Sequence, residues 1–173
     1  MSSRRRPLRS SQQSAAGGTR QLPPDRFLEE ELAFYLPLIE VCLQLPRALS
    51  LRSERAFGTP FTIAAALAYL SAAPREGISM SDLSRMLNLS NSRVSRLVHE
   101  MEAAGWVKRI KSKSDGRSNL AKITPAGRKK LTTESPFHLA NIRELSIHVF
   151  SARERAILKP YLERLRNHLS QNP

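Results

Sequence analysis

At 173 residues and 40% hydrophobic content, the chain is long enough for one domain with a real core, or two small lobes. A single cysteine, Cys42, excludes an internal disulfide or a zinc ribbon; the longest apolar run, Ile63 to Leu70, is too short for a bilayer; and no apolar segment follows Arg4, Arg5 and Arg6 to make a secretory signal. The net charge of +13 is unevenly placed: residues 1–24 carry five arginines and no acid, residues 79–130 carry twelve Lys or Arg against four acids, and the rest of the chain balances. These features suit a soluble, cytoplasmic protein with a polyanion as partner, a generically basic surface being the plainer alternative.

Residues 1–24 are rich in Ser, Arg, Gln and Gly and hold few large apolar side chains. They cannot bury enough surface to offset the cost of ordering, so a disordered basic tail is expected. From Asp25 the pattern changes. Leu28, Leu32, Tyr35, Leu36, Ile39 and Leu43 recur at helical spacing, behind an acidic first turn of Glu29, Glu30 and Glu31. Pro37 and Pro46 fall inside this pattern and predict kinks or breaks. A short apolar helix follows over Phe61–Ala73, stopped by Pro74 and Gly77.

Ser79 and Asp82 stand in capping-box spacing, with Leu83, Met86 and Leu87 as the expected buried edge of the next helix. Asn88 to Ser90 reads as a turn. Ser90 caps a further helix to about Ala104, in which Val94, Leu97, Val98 and Met101 must face the core. Two short helices joined by a turn of about three residues make a helix-turn-helix. Gly105 ends the second helix, Trp106–Lys111 reads as a strand, Asp115-Gly116 as a turn and Leu120–Ile123 as the return strand. That hairpin is a "wing".

Thr124-Pro125 opens another helix, which Pro136 is expected to kink or interrupt. Leu139, Ile142, Leu145 and Val149 carry the apolar stripe onward. Ser151 and Glu154 form a second capping box before a last helix with Ile157, Leu158, Tyr161, Leu162, Leu165 and Leu169 at helical spacing. The fold class expected is mainly α with a small β-hairpin wing: a winged helix-turn-helix flanked by N- and C-terminal helices. The expected divisions are a basic tail (1–24), an N-terminal dimerisation helix region (25–56), a winged helix-turn-helix domain (57–130) and C-terminal dimerisation helices (131–173). The outer helices have long apolar faces for so small a core, and a second copy is the expected cover.

Residues 78–127, from Ile78 to Gly127, resemble the core of the MarR (multiple antibiotic resistance regulator) family. The Ser-Asp-Leu helix start, the Leu-Asn-Leu-Ser turn, Arg-Leu-Val-His-Glu-Met-Glu, Gly-Trp-Val-Lys-Arg, Asp-x-Arg and Ile-Thr-Pro-Ala-Gly come in that family's order. The last helix, from Phe150 to Leu165, is also similar. The resemblance implies a homodimer whose two winged lobes grip adjacent major grooves of double-stranded, palindromic DNA. It also implies a repressor, less often an activator, commonly released by a small aromatic or anionic ligand.

With the apolar stripe turned inward, the opposite face of the second motif helix offers Ser92, Arg93, Ser95 and Arg96, with Ser90 and Asn91 at its start. Arginine can pair with guanine through two hydrogen bonds and asparagine with adenine. The helix start suits a phosphate, although Ser90 has a capping role that explains it equally well. In the wing, Lys111, Lys113 and Arg117 surround the turn. The resemblance places Arg117 in the minor groove, with Asp115 orienting the arginine or bracing the turn; Gly116 stands where the family often has another arginine.

Phe34, Tyr35 and Phe137 are candidates for lining a ligand pocket, aromatic core being the competing explanation. Cys42 is a candidate redox site. Its apolar neighbours Val41, Leu43 and Leu45 favour a buried, inert thiol instead. His99, His138, His148 and His168 are scattered, so no metal site and no cofactor are expected. No nucleophile elbow, P-loop or dinucleotide fingerprint is present, which argues against an enzyme. An effector-independent architectural or anti-silencing DNA-binding protein and a cysteine-based oxidant sensor remain as alternatives to the ligand-released regulator.

Overall fold

The computed structural model describes residues 28–74, 76–111 and 119–172. In chain order these form α1 (Glu29–Phe57), α2 (Phe61–Ala72), β1 (Ile78–Ser79), α3 (Met80–Leu87), α4 (Asn91–Ala103), β2 (Val107–Lys111), β3 (Asn119–Ile123), α5 (Pro125–Ile142), a π-helical turn (Arg143–Ile147) and α6 (Ala152–Gln171). The chain divides into two compact units, residues 1–37 and 38–173. The described part of the first is the opening of α1, where the Glu31 carboxylate accepts a hydrogen bond from the Leu28 N–H at 2.9 Å.

The core of the second unit sits among α2, α3, α4 and the sheet. Ile63, Leu67, Leu83, Val94, Val98 and Met101 are completely buried there. Each such side chain contributes roughly 1.5–3 kcal/mol by leaving water. α2 is apolar around most of its circumference, which suits a helix covered by α3, α5 and β3. The sheet is antiparallel in the order β1-β3-β2, with Ile78 opposite Ala121 and Val107 opposite Ile123.

Two glycines are dictated by space. Gly77 has a φ of 99°, and a Cβ on it would stand 2.6 Å from the Ala121 carbonyl oxygen, so a larger residue would push β1 off β3. At Gly127, in the first turn of α5, a Cβ would lie 2.1 Å from the Trp106 carbonyl oxygen. Helix α5 therefore rests directly on the backbone that enters β2. Thr124 fixes the same junction: its N–H donates to the Trp106 carbonyl at 3.0 Å, and its Oγ1 donates to the Gly105 carbonyl at 2.7 Å.

Several expectations need correction. Of the kinks or breaks expected at the prolines, no break occurs: α1 runs through Pro37 and Pro46, and α5 runs through Pro136. A proline inside a helix removes one backbone hydrogen bond and costs about 3 kcal/mol, so the rest of the helix must outweigh it. In α5 this compensation comes from a buried face carrying Glu134, His138 and Asn141. The regular helix gives way only at Arg143, seven residues after Pro136, where the π-helical turn begins. α6 likewise runs through Pro160. Met86, expected in the core, is 48% exposed, and Met80 packs against the core instead. The first hairpin strand begins at Val107, one residue after Trp106.

The outer helices differ from this core. Ser53 is the one buried residue of α1, and α6 has none. By length and apolar content alone, α1 would also suffice to cross a bilayer, a property that uninterrupted apolar runs do not reveal. Its Glu40, Arg47 and Arg52 interrupt the apolar sequence.

Candidate nucleic-acid interface

Helices α3 and α4 are started and stopped by short polar side chains. The Asp82 N–H donates to Ser79 Oγ at 3.0 Å, opening α3. The Ser79 hydroxyl donates in turn to the Asp82 carboxylate at 2.6 Å. That bond, together with the charge of Arg85, holds the carboxyl below its ordinary range, against a smaller opposing effect of burial. Asn88 ends α3 in the left-handed region, at φ 52°. Asparagine tolerates that conformation, and the reversal lets the Leu89 N–H reach the Ser84 carbonyl at 3.0 Å. The turn is therefore rigidly specified before α4 begins.

α4 shows two faces. Val94, Leu97, Val98 and Met101 are buried, while Asn91, Ser92, Arg93, Ser95 and Arg96 are exposed, with exposed Ser90 capping the start. This matches the arrangement expected from spacing. Ser90 Oγ accepts from the Arg93 N–H at 3.4 Å and lies 3.1 Å from Ser92 Oγ. So Ser90 does cap, but through a long bond. Neither Arg93 nor Arg96 forms an ion pair with another described residue. Their guanidinium groups have no ion-pair partner among the described residues and project from an exposed helical face, the geometry that a major groove accommodates.

Lys111 is exposed at the end of β2. Lys113, Asp115 and Arg117 lie outside the described residues, as does the basic tail of residues 1–24. β2 is an edge strand and is fastened to α4 by Arg109. The Arg109 N–H donates to Glu102 Oε1 at 3.0 Å, and Arg109 Nη2 donates to the Ser95 carbonyl at 3.0 Å. Nε stands 3.6 Å from Glu102 Oε2, near enough for ion pairing but too far for a hydrogen bond. Arg109 and Glu102 end two of the motifs that carry the resemblance, but the sequence assigned neither a role. The residues they join lie seven and fourteen positions apart on a helix and a strand, and no periodicity encodes such a contact.

The other candidate residues are not gathered at this face. Phe137 packs edge-on against Phe57, with ring centroids 5.0 Å apart, beside His138. Close by, Arg52, Arg55, Ala56, Phe137 and Asn141 line a shallow cleft of about 370 Å³. Arg52 grips both Glu144 oxygens, at 2.9 and 3.0 Å, and reaches Asn141 Oδ1 at 2.6 Å. Its hydrogen bond, and then its charge, hold the Glu144 carboxyl below the ordinary range. Phe34 and Tyr35 lie on the opening segment of α1; both are exposed, Phe34 by 71%.

Cys42 is exposed rather than buried, because no element among the described residues covers that face of α1. Among the described residues no group of three His, Cys, Asp or Glu could hold a metal ion. His138 is buried. Its Nε2 has no hydrogen-bond partner, and Glu134 Oε2 is 3.8 Å away. Lys130 binds Glu134 at 2.6 Å and sits 4.2 Å above the Trp106 ring.

Comparison with known proteins places this geometry. The model of the MarR family matches residues 57–118. Over 93 residues the chain is 31% identical to YdgJ of Bacillus subtilis, named as an uncharacterized HTH-type transcriptional regulator. Over 95 residues it is 30% identical to the HTH-type transcriptional regulator PecS of Dickeya dadantii. These matches take in 54% and 55% of this chain, and only 56% and 57% of the relatives, a little over half their length.

Whole-fold likeness extends further. A MarR family transcriptional regulator of Streptomyces coelicolor, solved in complex with DNA, superposes with a TM-score of 0.78 at 25% identity, over 85% of this chain and 92% of that one. AbsC, a MarR family transcriptional regulator from the same organism, gives 0.70 at 28% identity, over 82% and 99%. In its winged helix-turn-helix and its ordered motifs the chain is thus similar to MarR family transcriptional regulators.

Proposed function

We propose that this chain is a sequence-specific, DNA-binding transcription regulator that works in the cytoplasm as a homodimer, and that it is a repressor released by a small ligand. The observation that carries the DNA reading is the exposed face of α4. Asn91, Ser92, Arg93, Ser95 and Arg96 all point away from a fully buried stripe, in the one block of the folded chain with a large basic excess. In this reading Ser90 to Arg96 enter the major groove of a palindromic duplex. Lys111, Lys113 and Arg117 follow the backbone and minor groove, with Asp115 bracing Arg117.

Replacing Arg93 with Ala should weaken binding to a selected duplex by about 1–3 kcal/mol and relax base preference. Arg117→Ala should weaken it while leaving the fold intact. Affinity should also fall steeply with salt as counterions return to the phosphates. Anisotropy titrations at several salt concentrations measure all three, and unchanged affinity in both variants would refute the reading head.

The dimer is supported by apolar side chains that one chain leaves uncovered: Val41 and Leu43 on α1, and Ile157, Tyr161, Leu162 and Leu169 on α6. The same faces make α1 intelligible as a dimerisation helix rather than a membrane span. The effector reading rests on the cleft near Phe137. Phe137 lines the arginine-bearing cleft, which suits an aromatic anion; Phe34 and Tyr35, exposed on the opening segment of α1, are separate candidates for ligand contact. An architectural, effector-independent role is the competing reading. Footprinting separates the two, since a short protected palindrome supports the regulator and extended protection supports the architectural protein. Exposed Cys42 favours one further reading, oxidant sensing, which a Cys42→Ser variant that keeps its oxidant response would eliminate.

A further inference from the structure

We propose that Arg109 is a positioning residue for DNA reading: it ties β2 to α4 at Ser95 and Glu102 and so fixes how the exposed face of α4 is presented. The inference rests on the DNA reading above and adds a residue that does not itself face the duplex.

The geometry is specific. In the ladder Arg109 stands opposite buried Ala121, so its side chain leaves the sheet on the face that packs toward the core and α4. β2 pairs with β3 on one edge only, and the free Arg109 N–H of the open edge is taken by Glu102. The guanidinium then reaches the Ser95 carbonyl, nearly two turns before Glu102 along α4. Two points on one helix, held from one residue of a strand, fix both the height of the helix and its rotation about its own axis. A single contact would fix neither. Ser95 lies between Arg93 and Arg96, so a small rotation there swings both guanidinium groups across the groove.

Arg109 is poorly suited to a direct phosphate contact. Its side chain is about two-thirds covered, and Nη2 is already engaged. Lysine cannot replace it in this role. A lysine has one charged nitrogen on a flexible stem, whereas the guanidinium sets Nη2 on the Ser95 carbonyl and keeps Nε within ion-pair range of the Glu102 carboxylate, whose hydrogen bond comes from the Arg109 backbone N–H.

The test compares the full-length wild type with Arg109→Ala, Arg109→Lys and Glu102→Gln. Two probes are used: a duplex selected by the wild type from a random pool, and a scrambled duplex of equal length. Titrations are run well below each variant's melting midpoint and at several salt concentrations. The expected result is a drop of about tenfold or more in the ratio of specific to scrambled affinity for both Arg109 variants, and a smaller drop for Glu102→Gln. The salt slope on the scrambled duplex should stay unchanged, because no phosphate contact is lost. Pools reselected with the variants should show blurred preference at the bases read by α4, a change that lower stability alone does not produce.

Rescue by Lys together with a salt slope reduced by about one in the Ala variant would overturn the proposal in favour of a direct phosphate contact. An unchanged ratio in all three variants would overturn it too. If the wild type itself does not prefer its selected duplex, the DNA reading fails, and that outcome is distinct from either of these. Should Arg109→Ala fail to fold, Glu102→Gln and Arg109→Lys carry the same comparison with side chains of nearly the native size.

Discussion

Helices α4 and α6 carry the same kind of sequence pattern and differ in what becomes of it. In α4, Val94, Leu97, Val98 and Met101 recur at helical spacing and are buried. In α6, Ile157, Tyr161, Leu162 and Leu169 recur in the same way, and every one is more than half exposed. Periodicity shows which face of a helix needs cover; it does not show which molecule supplies it. The winged core satisfies its apolar faces within one chain. The outer helices do not, and the basic excess of the chain outside residues 1–24 lies on the part that does.

That contrast can be broken or sharpened by experiment, starting from the largest effect. Leu67 is completely buried in α2, and Leu67→Ala should cost about 2–5 kcal/mol in chemical denaturation, whatever the protein concentration. A loss below about 1 kcal/mol would mean that the core is not where the contrast puts it.

On α6, Leu162→Asp should leave helicity near that of the wild type while weakening self-association at least tenfold, about 1.4 kcal/mol, as read by sedimentation. It should also reduce the dependence of the melting midpoint on concentration. An unaltered dimer would show that α6 is not the cover.

The smallest effect belongs to His138, which sits at the border between the two kinds of packing. Phe57 of α1 and Phe61 of α2 face it with rings, and the charged groups beside it are Glu134 and Lys130 of its own helix. Burial holds its pKa below the ordinary 6.5, partly offset by Glu134. The unfolded chain therefore accepts a proton that the folded chain resists. The stability involved is fully present above 6.5 and declines as pH falls through that value toward the lower folded pKa. Replacing His138 with Phe should flatten the fall in melting midpoint between neutrality and about pH 5.5, before the carboxylates titrate. Equal acid sensitivity in both proteins would remove His138 from the account.

Much of this was legible in the sequence because the controlling interactions are local. Ser79, Ser90, Thr124 and Ser151 all cap the helices that their spacing announces, and the Ser151–Glu154 box forms in both directions. The exposed set from Asn91 to Arg96 follows from its register with four buried residues. Other parts were not legible, each for a physical reason. Proline signals a break through local sterics and a lost N–H, but Pro37, Pro46 and Pro136 are overruled by the helices on either side.

β1 has two residues and exists only through its pairing with β3. Arg52 and Glu144 are 92 positions apart, and the Arg109 bridge crosses from strand to helix; pairings of that kind depend on the finished fold. Cys42 misled for the opposite reason, since apolar neighbours along a helix do not bury a residue when nothing among the described residues packs on that face.

Gly127 gives the fold a mechanical property. With no room for even a methyl group between the first turn of α5 and the Trp106 carbonyl, that joint has no clearance. Thr124 pins the same spot from the other side by hydrogen bonds to Gly105 and Trp106. A helix seated in this way cannot slide over the strand without pushing it. Tilting α5 must carry Trp106, and with it the root of β2, as one rigid lever. The same helix carries the buried Glu134, His138 and Asn141 further along, so the close joint at Trp106 and that polar face belong to one element.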